Sequence, residues 1–328
     1  MSTRIEDDIT DMKKKLTEYI DKGRIVGFRE VREEPVMTVK PDKSKIRPLT
    51  KMKEYEGNFL AVDCSTRTLK RANNWGIYLM RVAYASVKSK EVSWGYEERM
   101  CTVVGDSYAR RGLLQDSRVE LESQMALDVL CRRDRVHYLF LDGPSFFGGM
   151  RKFRTFLYEK CEASGINLLA ICKQSPALHD ERGRDLIAAT YQIAPYSLWV
   201  YHPVVKSNKE RNLYGDVSII KLCPDSPRLF RCDIMEYLTN RQMNNLLSPI
   251  TSISEDPRCL GYPVVLWLAH DFSSPSDSKL LHYHDQVERT LADAGLLETL
   301  RIEELSCNFP DELHGVRHPF RWERIEHV

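Results

Sequence analysis

The sequence lacks the segments that would place a protein in or across a membrane. No run of about 18 apolar residues occurs in the chain of 328 residues, which excludes a membrane-spanning helix. The N-terminus is charged throughout and lacks the apolar stretch of a secretory signal peptide. We therefore expect a cytoplasmic protein that has no membrane partner.

Paired cysteines and nucleotide-binding loops are also missing. The nine cysteines stand singly, with no CxxC pair, which argues against a zinc ribbon and against a thioredoxin-like redox site. The chain has neither a P-loop nor a dinucleotide-binding fingerprint. Ser145 lacks the G-x-S-x-G context of a hydrolase nucleophile. The sequence is therefore not that of a P-loop ATPase, and its chemistry must come from other side chains.

The balance of charged and apolar residues is that of an ordinary folded protein. Hydrophobic residues make up 42% of the chain, which is enough to offset the entropy lost on folding. The 48 Lys and Arg residues nearly cancel the 47 Asp and Glu residues, so any surface for a polyanion must be a local basic patch. Basic segments such as residues 151–154 and 206–211 are candidates, although each alone is typical of a solvated surface.

Hydrophobic periodicity predicts a mixed α/β sheet flanked by helices. The central order is β-β-β-α-β-α-β, and its elements cover residues 59–63, 75–85, 92–96, 117–131, 136–142, 150–164 and 167–172. An N-terminal helix over residues 5–22 and an irregular or hairpin segment to residue 55 precede them. A hairpin over 216–234, a buried helix or strand over 263–270 and a helix over 277–300 follow. We therefore expect an extension over 1–55, a core over 56–275 and C-terminal additions over 276–328.

Carboxylates stand at the expected ends of two strands. Asp63 ends the first strand and Asp142 the fourth, and each is expected to precede a turn. Ligands of α/β proteins gather at strand ends, and converging carboxylates repel one another unless a cation neutralises them. Hard oxygen ligands suit Mg²⁺ or Mn²⁺. The alternative is that each aspartate only caps a turn or the following helix.

The helix between these strands offers a third acid. Glu122 lies at helical spacing from Val119, Met125 and Val129, which places it on the buried face of the helix. A buried carboxylate costs free energy unless it has a partner, and a metal ion would be one. Glu120 points toward solvent and remains the second candidate for the same role.

Lys173 and His270 complete the set of candidate residues. Lys173 follows a predicted strand, where its ammonium can hold a phosphate or orient a water, and a surface lysine is the alternative. His270 ends an apolar run, in which a structural core histidine is the commoner outcome. The neighbouring Asp271 can orient its ring through a hydrogen bond.

In their order along the chain, these segments resemble the motifs of the NurA nucleases. The resemblance extends over about residues 55–275, and the residues that carry it lie at 59–67, 121–122, 139–144, 170–175, 217–222, 261–263 and 269–270. It implies an RNase H-like core with a helical N-terminal extension. Cys64 stands where the family usually has glycine, so the expected turn after Asp63 would need an unstrained alternative. Phe146 and Phe147 also make the loop after Asp142 bulkier than the family pattern.

The resemblance further implies an activity and a set of partners. The implied activity is a manganese-dependent DNA nuclease, with magnesium as an alternative, one or two ions bound, and both 5′ to 3′ exonuclease and single-strand endonuclease action. Its implied setting is DNA end resection with a hexameric HerA-type translocase, and its implied assembly is a homodimer. The matching metal-holding and catalytic positions are Asp63, Glu122, Asp142 and His270, with Lys173 as the lysine of its motif. Substrate contacts are expected from Arg67, Lys173 and Tyr262.

Two other functions are compatible with the same residues. The chain can be an inactive adaptor that docks on a hexameric ATPase through its N-terminal helix and residues 308–328. It can also be an RNase H-like enzyme that acts on RNA or on hybrid duplexes. Cleavage assays with DNA, RNA and hybrid substrates separate all three.

Overall fold

A nine-stranded mixed sheet organises the described part of the chain. The computed structural model describes residues 2–22, 36–132, 136–147, 152–173 and 178–313. Its strands are β1 (Met37–Thr38), β2 (Ile46–Pro48), β3 (Asn58–Arg71), β4 (Trp75–Lys88), β5 (Glu91–Val104), β6 (Tyr138–Asp142), β7 (Asn167–Cys172), β8 (Leu178–His179), β9 (Trp199–Val205), β10 (Gly215–Lys221) and β11 (Phe230–Met235). Its helices are α1 (Ser2–Lys22), α2 (Ser107–Arg132), α3 (Lys152–Ser164), α4 (Leu186–Ile193), α5 (Met243–Thr251), α6 (Val264–Ser273), α7 (Asp277–Asp293) and α8 (Leu297–Leu313).

The main sheet has the order β2-β9-β10-β11-β7-β6-β3-β4-β5. Strand β6 is parallel to both β3 and β7, and the other pairs within this sheet are antiparallel. The predicted mixed α/β class and the order β-β-β-α-β-α-β are therefore confirmed. The predicted hairpin over residues 216–234 is also confirmed, as β10 and β11.

The first predicted strand is longer than its sequence pattern indicates. Strand β3 does not end at Asp63 but continues to Arg71, so the expected turn after Asp63 is wrong. The reason lies in its two neighbours. The parallel pairing with β6 stops at Val62 and Leu141, whereas the antiparallel pairing with β4 continues through Asp63.

Two further expectations change at the ends of the chain. The single helix expected over residues 277–300 is two helices, α7 and α8, because Gly295 adopts a left-handed φ of 68° after α7. The segment expected as irregular or as a hairpin is described from residue 36 onward. There β1 pairs with β8 and β2 pairs with β9, so both strands join distant parts of the chain. Residues 23–35 and 314–328 lie outside the described residues.

A small hydrophobic cluster packs around β9 and β10, and the rest of the hydrophobic core divides along the length of strands β3, β4 and β5. One half packs with α2, α3 and α6 around residues such as Phe59, Phe140 and Leu169. The other half packs under α1, α7 and α8, where Met12, Trp75 and Leu280 are fully buried. The predicted N-terminal helix is thus present as α1 and covers the half of β3–β5 that is remote from Asp63. None of the described helices is long and apolar enough to cross a membrane.

Candidate active site

Strand register brings Asp63 and Asp142 to the same place in the sheet. Val62 pairs with Leu141 in the parallel pair β3 and β6, and each aspartate is the next residue along its strand. Because paired residues share a face and side chains alternate, both aspartates point to the face opposite Val62 and Leu141. Asp142 in turn pairs with Ile171 of β7, two residues before Lys173. The expected convergence of carboxylates from neighbouring strands therefore has a geometric basis.

Lys173 lies against Asp142 at this edge. Its Nζ is 2.7 Å from Oδ2 of Asp142, and both side chains are partly open to solvent. Asp142 is the last residue of β6, and Gly143 directly after it has a φ of 99°, which requires glycine. The predicted strand end and turn are correct at this position. Lys173 is exposed at the surface and is paired with Asp142, so its role in binding phosphate stays a prediction.

Asp63 is a buried carboxylate that is held from two sides. Its side chain is 2% exposed, and Oδ1 accepts a hydrogen bond of 2.9 Å from the N–H of Cys64. His270 lies 2.7 Å from Oδ2 through Nδ1, which must be the donor because a carboxylate can only accept. Burial raises the pKa of Asp63, but the His270 hydrogen bond and the charges of Lys173 and Arg118 outweigh burial and lower it. Asp63 is therefore ionised at neutral pH.

Helix α6 delivers His270 to this position. The segment expected as a buried helix or strand is a helix that packs Val265, Leu266 and Ala269 into the core. The His270 side chain is 32% exposed, so its ring bridges the buried Asp63 and the solvent. The carboxylate that orients this ring is Asp63, not the neighbouring Asp271, whose side chain is exposed.

Glu122 is buried as predicted, but its partners are arginines. It forms an ion pair with Arg154 of α3, and Nη2 of Arg118 is 3.7 Å from its Oε1. Burial raises the pKa of Glu122, and the charges of Arg154 and Arg118 oppose this rise. The second candidate, Glu120, is only half-buried and accepts a hydrogen bond from Gln124. Of the two acids, Glu122 is the one that belongs to a buried charge cluster, which consists of Glu122, Arg118 and Arg154.

Two arginines of this cluster were not singled out by the sequence. Arg154 was placed among solvated basic residues, but its side chain is 5% exposed, because it neutralises Glu122 across the α2–α3 interface. No local pattern connects these two residues. Arg118 lies four residues before Glu122 on α2, a spacing that predicts an ion pair, and its Nε also donates to the carbonyl oxygen of Cys64. Arg118 thereby connects the Glu122 side of the cluster to β3.

Tyr262 places an unsatisfied hydroxyl in the same region. The residue is buried just before α6, its ring packs 5.0 Å from that of Phe230, and its hydroxyl has no hydrogen-bond partner within the described residues. Burial raises the pKa of Tyr262 well above its ordinary value, and the charges of Asp142 and Asp63 raise it further. A buried hydroxyl without a partner costs free energy, so this position suits a ligand or a water.

The donor set fits a divalent cation in its chemistry. Across the described ranges, no three His, Cys, Asp or Glu side chains converge closely enough to form a metal cluster. Asp63 and Asp142 nevertheless offer hard oxygens, His270 offers an imidazole, and the Tyr262 hydroxyl lacks a partner. Glu122 fits less well because two arginines already balance its charge. The residues that fit such an ion are therefore Asp63, Asp142 and His270.

A fully buried ion pair fixes the loop after Asp142. Arg231 and Asp233 of β11 are joined by two hydrogen bonds of 2.8 Å. The same Asp233 carboxylate accepts hydrogen bonds from both the N–H and the hydroxyl of Ser145, at 2.9 and 3.0 Å. The bulky residues that follow fit because Phe147 is buried against Tyr214. Ser145 is thus a structural anchor of the loop that follows Asp142.

The structure also shows where Cys64 and Arg67 lie on strand β3. Cys64 lies within the extended strand β3, so no turn forms there and glycine is not required. Arg67 is half-buried on the same face as Asp63, four residues further along β3, which is roughly 13 Å in an extended strand. Its contact with a substrate stays a prediction.

Known proteins resemble this chain in structure but not in sequence. No protein-family model and no curated protein matches it. The NurA nuclease from Sulfolobus solfataricus matches with a TM-score of 0.56 and 14% identity, over 89% of this chain and 98% of that chain. A NurA structure bound to dAMP and manganese has a TM-score of 0.47 at 11% identity, over 83% of this chain and 92% of that one. Endonuclease V from Ciona intestinalis, in complex with inosine-containing DNA, has a TM-score of 0.39 at 12% identity, over 81% and 96%.

The chain thus has a mixed α/β fold in which carboxylates of neighbouring strands meet on one face of the sheet. More narrowly, its fold is NurA-like, and this conclusion rests on the similarity to the Sulfolobus structure. The resemblance seen in the sequence motifs is therefore confirmed for the fold.

Proposed function

We propose that this protein is a metal-dependent nuclease that hydrolyses phosphodiester bonds in DNA. The observation that carries the proposal is the meeting of Asp63 and Asp142 on one sheet face, with His270 and Lys173 against them. Paired carboxylates beside a lysine and an imidazole are suited to a phosphate substrate. The NurA-like fold supports the same function.

Each of these residues has a distinct task in this proposal. Asp63 and Asp142 hold one or two divalent ions, Mn²⁺ or Mg²⁺, with His270 as a further ligand or as the group that positions the attacking water. A bound ion lowers the pKa of a water and offsets charge on the phosphate. Lys173 exchanges its contact with Asp142 for a contact with the phosphate. Arg67 and Tyr262 are the proposed substrate contacts.

Glu122 is proposed to act through its arginines. It keeps Arg118 and Arg154 buried beside β3, and the positive charge of Arg118 acts on both Asp63 and Asp142. This charge contributes to the lowered pKa of Asp63. Direct binding of a metal by Glu122 requires its arginine pairs to open.

Further properties are proposed from the resemblance to NurA. They are 5′ to 3′ exonuclease and single-strand endonuclease activity, a role in DNA end resection, partnership with a HerA-type hexameric translocase, and a homodimeric assembly. An adaptor without activity and an enzyme for RNA or hybrid substrates are the competing functions. Cleavage assays with DNA, RNA and hybrid substrates distinguish the proposed nuclease from these two competing functions.

The test is cleavage of end-labelled single-stranded DNA, double-stranded DNA, RNA and RNA–DNA hybrids in the presence of Mn²⁺, Mg²⁺ or EDTA. We expect cleavage by the wild type only with metal, and none by Asp63→Asn, although this variant keeps its circular dichroism spectrum. Glu122→Gln and Glu120→Gln form a matched pair on α2, and only the first is expected to reduce cleavage.

Three results would count against the proposal. Substantial cleavage by Asp63→Asn removes the assigned site. Absence of cleavage by folded wild-type protein with every metal favours the adaptor function, which stimulation of a hexameric ATPase then tests. Preferential cleavage of RNA or of hybrid duplexes assigns the site to the third function.

A further inference from the structure

An exposed aromatic surface lies near the candidate active site. It consists of Trp94 and Tyr96 on β5 and Phe272 on α6, and we call it the aromatic surface. The Trp94 and Phe272 rings are stacked with centroids 4.5 Å apart, and the Trp94 and Tyr96 rings are nearly parallel at 6.2 Å. Trp94 is 51% exposed despite these contacts. The indole is therefore held in one orientation while part of it faces solvent.

Strand register places the aromatic surface on the same sheet face as Asp63. Asp63 pairs with Ala83 of β4, and Ala83 pairs with Tyr96 of β5, so the three side chains share a face. Two strand spacings separate Asp63 from Tyr96, which is roughly 10 Å. Helix α6 lies on this face and joins the two places, because His270 contacts Asp63 and Phe272 stacks on Trp94.

The Tyr96 ring of the aromatic surface has a further contact, with a cation of the neighbouring strand β4. The Arg81 guanidinium lies 4.4 Å from the centre of the Tyr96 ring and is itself bonded to Glu98. Helix α1 covers the far half of β5, where Asp8 accepts a hydrogen bond from the N–H of Met100. Residues 91–96 lie beyond these contacts. A preorganised aromatic surface binds a flat ring with little further loss of entropy.

We propose that the aromatic surface stacks a nucleobase of single-stranded DNA whose backbone runs to Asp63 and Asp142. This inference rests on the proposed function. Aromatic side chains bind unpaired bases of any sequence, since every base presents a flat π-face. The bases of a duplex are already stacked on one another, so the aromatic surface favours single strands over duplexes. It acts as a substrate-positioning site and takes no part in the chemical step.

The matched variants are Trp94→Ala, Trp94→Phe and Val92→Ala. Val92 lies two residues from Trp94 on the same strand and is 50% exposed, so it controls for loss of apolar surface at this edge. Binding of fluorescent oligothymidylate to the full chain in EDTA is measured by anisotropy. We expect Trp94→Ala to weaken binding by about tenfold or more, as the loss of one base stack predicts. Trp94→Phe is expected to retain most of the affinity, and Val92→Ala all of it.

A second measurement locates the stacked base. A single abasic residue is moved along the oligonucleotide, and cleavage by the wild type is expected to fall when it lies at one fixed distance from the cleaved bond. Trp94→Ala is expected to show no such position. An oligonucleotide made only of abasic residues is expected to bind equally to the wild type and to Trp94→Ala.

The outcomes separate this inference from the proposed function. If the wild type cleaves DNA but Trp94→Ala binds and cleaves as the wild type does, the inference is wrong and the nuclease stands. If the wild type cleaves no substrate, the proposed function fails first. A Trp94→Ala protein that changes from dimer to monomer in sedimentation, with equal loss of affinity for normal and fully abasic strands, assigns the aromatic surface to a second copy of the chain and overturns the inference.

Discussion

Strand β3 carries two buried charges with opposite kinds of surroundings. Lys70 is 5% exposed and is paired with Glu288 of α7 and Glu304 of α8, each at 2.9 Å. Asp63 is equally buried, but the residue beside it on the next strand is another aspartate. Lys70 is paired with two opposite charges, whereas Asp63, although hydrogen-bonded to His270, also has a charge of its own sign on the neighbouring strand. Such like-charge proximity is typical of sites that bind a cation or a charged substrate.

The polar groups around Lys70 and around Asp63 also differ in how fully they are paired. Around Lys70, polar groups join separate helices to the sheet, as Glu303 does by accepting from both Tyr19 and the indole of Trp75. Around Asp63, the Tyr262 hydroxyl has no partner within the described residues and His270 reaches solvent. Buried charge thus stabilises the fold at one end of β3, and at the other end it forms part of the site that we propose for a ligand.

The largest effect is expected for a substitution beside Asp63, in the candidate active site. We expect Asp142→Asn to reduce DNA cleavage by roughly 10³-fold, because a group that stabilises the charged transition state is lost. Its free energy of unfolding is expected to stay within about 1 kcal/mol of wild type, since the Lys173 ion pair is partly exposed. Single-turnover rates and urea unfolding measure the two quantities. A large loss of stability would show that Asp142 is a structural residue instead.

Lys70→Met tests the other end of β3, where the buried charge is paired with two glutamates. We expect this variant to lose about 1–3 kcal/mol of unfolding free energy, because Glu288 and Glu304 lose their shared partner. Cleavage per folded molecule is expected to remain at the wild-type level. Urea unfolding and a cleavage assay on the same preparation check both statements. A selective fall in cleavage at unchanged stability would assign Lys70 to the active site.

The sequence predicts the site residues better than it predicts how they are held. The strand end at Asp142, the lysine after β7 and the buried face of Glu122 all follow from local periodicity, and the structure places them accordingly. The continuation of β3 beyond Asp63 depends on β4, whose pairing is not visible in the local pattern. The Arg154 partner of Glu122 is separated from it by a strand and a loop, so no periodicity connects them.

A pH titration sharpens the comparison at Glu98 of β5, a buried carboxylate that, like Lys70, is paired with residues of opposite charge. Burial raises the pKa of Glu98, but hydrogen bonds from Tyr283 and Arg81 outweigh burial and lower it. A carboxyl with a lowered pKa stabilises the folded state above its unfolded-state pKa, and this contribution is lost as the pH falls through the folded-state pKa. We expect Glu98→Gln to be less stable than wild type at about pH 7, and the difference to shrink below about pH 4. A difference that grows in acid contradicts this assignment.

The smallest expected effect concerns the hydroxyl of Tyr262. Tyr262→Phe removes a buried polar atom that has no partner within the described residues, so we expect the free energy of unfolding to stay constant or to rise by up to about 1 kcal/mol. If the hydroxyl serves a ligand, cleavage falls in the same variant. Phe230→Leu, which alters the ring that packs on Tyr262, is the control for packing alone. A destabilised Tyr262→Phe protein with normal cleavage would mean that the hydroxyl has a structural partner. The proposed ligand site would then rest on Asp63 and not on the Tyr262 hydroxyl.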